Sequence, residues 1–301
     1  MSEIKKLTFI ANPNAGKCKA KKIVEKIVPI LETNGVECDV FFAETAKEAR
    51  LIAAQNEASG EKNIIVVGGD GTFGEVVTGV ENPSELNFGF IPSGTGNDFA
   101  KAAGLPRNIE ECASVILKGQ TKKIDYLQGY SRRAINVAST GFDTEVIKAF
   151  NRYKRRNKKN YYRALFKTLF RVKHAKYYVE IDGQKSSEEK QCFIFAACNG
   201  SYIGGGMKIS PYSKIDDGMI NFVCINSMPR RKILFRLFGF LKGKHIDKSY
   251  TVQCLCEEVK LGEGMPVSIC YDGELLEEPF DVKIVKDGLN VFWRDSVRAE
   301  N

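Results

Sequence analysis

Two stretches set glycines and a carboxylate directly behind an apolar run. Ile64-Ile65-Val66-Val67 gives way to Gly68-Gly69-Asp70-Gly71-Thr72-Phe73-Gly74-Glu75. Asn87–Ile91 gives way to Pro92-Ser93-Gly94-Thr95-Gly96-Asn97-Asp98. Glycine lets the backbone approach a ligand closely, because no Cβ stands in the way. Where such a turn opens a helix, several N–H groups point at one spot and favour an anion, most often phosphate. A single turn of this kind is equally consistent with a tight, ligand-free corner. Two on neighbouring strands could face one another across a phosphate chain. Thr72 stands three residues before Glu75, the spacing of a capping box, with Val76 and Val77 opening the helical run. Two later turns also carry acids. Lys214-Ile215-Asp216-Asp217-Gly218-Met219 reads alone as a surface turn, and Tyr271-Asp272-Gly273-Glu274 as a hairpin connector.

These turns need strands and helices to hold them. Leu7–Ala11 reads as a strand followed by Asn12-Pro13-Asn14-Ala15-Gly16-Lys17, which lacks the first glycine and the closing Gly-Lys-Ser/Thr of a P-loop. Ile23, Ile27, Ile30 and Leu31 recur at helical spacing, with Pro29 a kink and Asn34-Gly35 a stop. Glu37–Phe42 is a further strand, and Ala46–Ala58 and Ile109–Leu117 are helices. Strands alternating with helices in this way predict a parallel α/β sheet, with ligands at the carboxyl ends of the strands. From Lys123-Ile124-Asp125-Tyr126 onward the chain turns strand-rich, with candidates at 134–138, 176–182, 191–198, 219–225, 250–256, 266–271 and 280–285. The predicted division is an α/β domain over 1–128 and a mostly-β domain over 129–301, with the short tail after Trp293 free to return to the first.

The net charge of +8 is unevenly placed. Residues 148–176 hold twelve Lys/Arg and no acid, and residues 230–244 hold six more, so the remainder carries 8 − 18 = −10. Tyr162, Leu165, Phe166, Leu169 and Phe170 follow helical spacing beside Arg163, Lys167 and Arg171. Ile233, Leu234, Leu237, Phe238 and Leu241 repeat the pattern among Arg230, Arg231, Lys232 and Arg236. Basic amphipathic helices rich in Phe suit an anionic membrane surface, the plain alternative being helices packed on the sheet with a solvated basic face. No nucleic-acid fold signature accompanies the charge, so nucleic acid is not an expected partner. No apolar run approaches the ~18 residues of a spanning helix, and the first residues lack a signal-peptide core. The expected location is the cytoplasm. The nine cysteines show no Cys-x-x-Cys pair, and with only His174 and His245 they offer poor zinc ligation; they read as small hydrophobes in a reducing compartment.

Taken together, Asn12–Gly16, Gly68-Gly69-Asp70-Gly71-Thr72, Pro92-Ser93-Gly94-Thr95 with Asn97-Asp98, Asp216-Asp217-Gly218 and Asp272-Gly273-Glu274 resemble, in order and spacing along nearly the whole chain, the soluble bacterial lipid kinases of the diacylglycerol kinase catalytic-domain superfamily, which is related to NAD kinase. The resemblance implies an α/β nucleotide domain, a β-sandwich-like second domain and a site in the cleft between them. It implies ATP contacts at Asn12, Pro13, Asn14, Ala15, Gly16, Thr45, Gly68, Gly69, Asp70, Gly71, Thr72, Phe73, Gly74 and Thr95. Asp70, Asp98 and Asp125 are implied to hold a catalytic Mg2+. Lys214, Asp217 and Met219 are implied to hold a structural one through two carbonyls and the Asp217 side chain. Glu274 is implied to be the general base that takes the proton of a lipid hydroxyl, with Asp272 as the competing candidate. The family usually carries Leu-Asn where this chain has Phe73-Gly74, so the contact of that asparagine is lost or replaced.

The implied reaction is ATP-dependent phosphorylation of diacylglycerol to phosphatidate by a peripheral enzyme docked on the anionic inner leaflet. The alternatives are another acceptor (phosphatidylglycerol, a sphingoid base or NAD) or a membrane adaptor that binds nucleotide without turnover. Dimerisation is usual in the family; the periodicity of this chain does not itself indicate it.

Overall fold

The computed structural model describes residues 4–16, 19–153, 158–171 and 174–294. Lys17, Cys18, the basic residues 154–156, Lys173, the tail beyond residue 294 and the side chains of Lys158, Leu237 and Phe238 lie outside the described set. The chain forms two compact units. One comprises 1–124 together with the segment from Asp287 onward, the other 125–286. These units part at Ile124/Asp125, four residues from the expected 128/129 boundary, and the returning segment begins at Asp287, before Trp293.

The first unit runs β1 (Lys6–Ala11), α1 (Lys19–Thr33), β2 (Glu37–Phe42), α2 (Ala46–Ala58), β3 (Asn63–Gly68), α3 (Asp70–Gly79), β4 (Asn87–Pro92), α4 (Asp98–Ala102) and α5 (Ile109–Lys118). In α1 the buried residues Ala20, Val24, Ile27 and Leu31 recur every three or four positions, which gives the helix one face to lay on the sheet. The strands are parallel in the order β2-β1-β3-β4. Their register is what positions the turns. Ala11 pairs with Val67, Val67 with Ile91, and Gly68 with Pro92, so three strands end level and their following turns start side by side.

Strand β5 (Thr121–Gln128) leads into the second unit, which continues with β6 (Arg133–Ala134), β7 (Val137–Gly141), α6 (Phe142–Asn151), α7 (Lys158–Leu169), β8 (Ala175–Tyr177), β9 (Val179–Ile181), β10 (Gln184–Lys185), β11 (Lys190–Cys198), β12 (Ile220–Asn226), α8 (Arg230–Leu241), β13 (Thr251–Cys256), β14 (Glu258–Tyr271) and β15 (Glu274–Phe292). The final residues of β15 lie in the first unit, where Asn290 and Val291 add a parallel strand to β4. Within the second unit β13-β12-β11-β7-β14-β15 is antiparallel. Its strands are covered on both sides. Ile194 and Ala196 of β11 join Phe142, Leu165, Ile233 and Phe240 in one core, while Phe195 and Ala197 join Phe222, Ile269 and Phe280 in the other.

Several expectations are corrected here. The strand at 134–138 is broken into β6 and β7, because the N–H groups of Ile135 and Asn136 go to the Asp272 carboxylate. The strand at 176–182 is two short ones, and 266–271 and 280–285 are parts of the longer β14 and β15. Helix α6, unforeseen, follows Gly141 at φ +111 and buries Phe142 and Val146. Cys192 and Cys224, on neighbouring strands, form a disulfide, whereas the sequence reads as free thiols throughout.

Candidate functional site

In the first unit the three glycine turns touch. Asn12 at the end of β1 donates its N–H to Val67 O at 3.0 Å and its Nδ2 to Thr72 Oγ1 at 3.4 Å. Gly68 O accepts the N–H groups of Ser93 and Gly94 at 2.8 and 3.1 Å, so those two donors are committed to the neighbouring turn. A Cβ on Gly16 would lie 1.6 Å from Ser93 O, and one on Gly94 would lie 2.6 Å from Gly69 Cα. Glycine at these places is what lets the loops close on one another. Pro13, Asn14 and Ala15 belong to the first turn, and exposed Thr95 to the third. Thr45 caps α2 by accepting Glu48 N–H at 3.2 Å.

Helix α3 starts at Asp70, with Gly69 as its extended N-cap and Phe73 N–H making the first helical bond to Gly69 O. The N–H groups of Asp70, Gly71 and Thr72 precede that first bond and have no acceptor within the helix, which makes this terminus favourable to an anion. The expected Thr72/Glu75 capping box does not form, since the helix begins three residues earlier, with Gly69 as its N-cap, and buried Glu75 instead accepts Arg50 Nε of α2. The Phe73 side chain is turned to the core and does not reach the surface. It is fully buried, 5.0 Å from the Phe90 ring and 5.3 Å from that of Phe99, and Gly74 is buried behind it. The apolar side chain at this position is thus a core choice.

The structure brings Asp70 and Asp98 together. Asp70 Oδ2 accepts the N–H of Asp98 and Oδ1 that of Phe99, both at 2.9 Å, which ties α3 to the start of α4. Asn97, in the left-handed region at φ 53, makes this corner. Buried Asp98 pairs with Lys101 Nζ at 2.9 Å, a cation that the sequence reading passed over although its i,i+3 spacing was visible.

Asp125 lies in the second unit, 2% exposed, and organises the acidic turn there. Its N–H donates to Ile215 O at 2.7 Å, its Oδ2 accepts Gly218 N–H at 2.7 Å, and its carbonyl accepts Asn199 Nδ2 at 2.9 Å. Asp217 is exposed and accepts Met219 N–H at 3.1 Å; Lys214 is exposed at the start of the same turn. Asn199 was missed, its only signal being an Asn-Gly pair behind an apolar run.

The two late acids divide sharply. Asp272, at φ 47, receives the N–H groups of Ile135 at 2.6 Å, Val137 at 2.9 Å and Asn136 at 3.1 Å on its carboxylate. Glu274 is exposed at the first position of β15, with no hydrogen bond or ion pair recorded for its side chain among the described residues. Tyr271, just before, is buried, and burial together with the Glu278 carboxylate pushes its hydroxyl above its ordinary pKa.

Comparison with known proteins adds to this geometry. The sequence family described as Diacylglycerol kinase catalytic domain matches residues 6–128, and the YegS C-terminal NAD kinase beta sandwich-like domain matches residues 136–293. A Mycobacterium tuberculosis protein named diacylglycerol kinase is 31% identical over 256 residues, 81% of this chain and 81% of its own. One from Staphylococcus carnosus is 28% identical over 280 residues, 90% and 89% of the two chains. A crystal structure of a diacylglycerol kinase from Bacillus anthracis superposes with a TM-score of 0.72 at 22% identity, covering 99% of this chain and 100% of its own. That last likeness speaks for the fold.

Proposed function

Since this chain belongs to the diacylglycerol kinase family, whose members are ATP-dependent lipid kinases, we propose that it transfers the terminal phosphoryl group of ATP to the free hydroxyl of diacylglycerol, giving phosphatidate. The observation that carries this reading is the register of β1, β3 and β4, which sets three glycine turns side by side with Asp70 and Asp98 at their edge. The first-turn amides of α3 and the Asn12–Gly16 loop are the groups placed to cradle the phosphates.

The donor set fits magnesium. Asp70 and Asp98 offer hard carboxylate oxygens side by side, and those of Asp70 also accept the N–H groups of Asp98 and Phe99. Phosphate and water would complete the shell, as magnesium prefers. Asp125 is the third acid of the family pattern, and the carbonyls of Lys214 and Met219 with Asp217 would hold a second ion. When bound, the catalytic ion neutralises charge on the transferring phosphoryl group.

Glu274 is the proposed base. A primary alcohol attacks poorly unless a positioned carboxylate accepts its proton, and Glu274 has lone pairs to give whereas Asp272 has committed its own to three amides. Exposed Leu234 and Phe235 (86% exposed) beside Arg230, Arg231 and Lys232 on α8 support docking on an anionic leaflet. No helix among the described residues is long and apolar enough to cross a membrane. The family pattern further implies a homodimer, which light scattering would read.

The test is phosphate transfer from labelled ATP to diacylglycerol, phosphatidylglycerol and sphingosine in anionic vesicles and to free NAD. Label in phosphatidate supports the proposal. Label on another acceptor keeps the chemistry and changes the substrate, and ATP binding without any labelled product points to an adaptor.

A further inference from the structure

Between α6, α7 and β14 the second unit holds a cleft of about 680 Å³. Lys148 and Arg152 from the α6 side and Lys167 and Arg171 from the α7 side line it, against one carboxylate, Glu145. Lys148 is engaged with Glu145 at 3.3 Å, Glu277 at 3.4 Å and the Ser268 hydroxyl. Arg152, Lys167 and Arg171 have no side-chain ion pair among the described residues. Like charges gathered in one recess repel, and a bound anion removes that cost. Guanidinium groups beside hydroxyls, here those of Thr144 and Thr168, suit a phosphate in particular.

The neighbouring residues say where that phosphate comes from. Phe166 and Phe170 are 45% and 65% exposed, each directly preceding a cleft cation, and Tyr162 is exposed one turn earlier. A row of exposed aromatics flanking a basic recess fits the boundary between headgroups and acyl chains. A phosphate free in water gains nothing from it. We propose that this cleft recognises the phosphate of an anionic phospholipid headgroup, in the unit other than the one that carries the glycine turns. The inference rests on the reading that the enzyme works at a membrane surface.

Vesicle co-sedimentation of the full chain tests it, with phosphatidylcholine alone and with added phosphatidylglycerol. Wild type should prefer the anionic vesicles. Arg152→Gln/Arg171→Gln should lose about 30-fold in affinity, two cations each being worth about a factor of five at such a surface. Lys159→Gln/Arg163→Gln removes the same charge from α7 outside the cleft and should lose about fivefold at most. If the cleft variant melts early, exposed Lys167→Gln set against Lys159→Gln carries the test, with about a fivefold loss expected for the first and a clearly smaller one for the second. Equal losses in both double variants overturn the cleft while leaving surface docking in place. A wild type indifferent to vesicle charge overturns the docking reading itself. Inorganic phosphate that raises the melting temperature of wild type but not of the cleft variant, with the vesicle preference unchanged between them, overturns the lipid as source.

Discussion

Asp70 holds Asp98 by its backbone, not by its side chain: the Asp70 carboxylate takes the Asp98 N–H at 2.9 Å and the next N–H, of Phe99, at the same distance. One residue therefore serves as a cap for α4 and as a candidate metal acid. Asp70→Ala should lose about 1 kcal/mol of stability, as removal of a cap does, and nearly all turnover. Asp70→Asn keeps one acceptor and should recover part of the stability without the turnover. Urea unfolding beside a kinase assay reads both, and recovery of activity in the Asn variant would count against the metal role.

The contact of the second and third glycine turns is backbone on backbone, so it cannot yield by a rotamer change. Gly94→Ala would put a Cβ 2.6 Å from Gly69 Cα. Forcing the turns apart should cost about 1–3 kcal/mol and weaken ATP binding measured by calorimetry. Gly60→Ala, whose Cβ would meet nothing within 4 Å, should leave ATP binding as it is although its φ of +82 strains the turn.

Phe73 packs among Phe88, Phe90 and Phe99. Phe73→Ala should destabilise by about 3–5 kcal/mol through the cavity it leaves. Phe73→Leu, the family's residue, should cost much less and leave the KM for ATP unchanged, because no part of the side chain reaches the surface. A KM shift with unchanged stability would put the Phe73 side chain in the nucleotide site.

Asp143 is buried beside Cys198 and Cys270, and burial raises its carboxyl to about 6, with the Ser139 hydroxyl opposing. Its folded value lies above the ordinary 3.8, so its contribution to stability is present below about pH 4 and is lost as pH rises through about 6. The difference corresponds to about 3 kcal/mol. Asp143→Asn, which can still accept the Ser139 hydroxyl, should therefore gain on wild type between pH 4.5 and 7.5 in urea unfolding, by up to about 3 kcal/mol. Parallel stabilities across that range would contradict the assignment.

What the sequence made legible was local. The strand-to-glycine transitions at Val67/Gly68 and Ile91/Pro92 stand out because a β-branched run ending in glycine has few other uses, and their strands sit within a residue of expectation. What escaped was set by distant partners. Asp272 meets Asn136 across 136 residues of chain, and nothing near either one announces it. Arg50 draws Glu75 away from the cap that its spacing with Thr72 suggested. Phe73 looks like a turn residue until three distant phenylalanines surround it. Helix α6 was hidden because Gly141 and the polar Asp143, Thr144 and Glu145 masked the spacing of Phe142 and Val146. The division between Asp272 and Glu274 was legible only as two adjacent candidates.

That division is the central claim, and turnover with stability on two variants tests it most directly. Asp272→Ala leaves the amides of Ile135, Asn136 and Val137 without their acceptor and should destabilise by about 2–4 kcal/mol. Glu274→Ala should melt with wild type and bind ATP as wild type does, yet lose about 10²–10⁴-fold in kcat for labelled phosphatidate. A Glu274→Ala enzyme that still labels phosphatidate at near wild-type rate, while a folded Asp272→Ala enzyme does not, would contradict the account and make Asp272 the base.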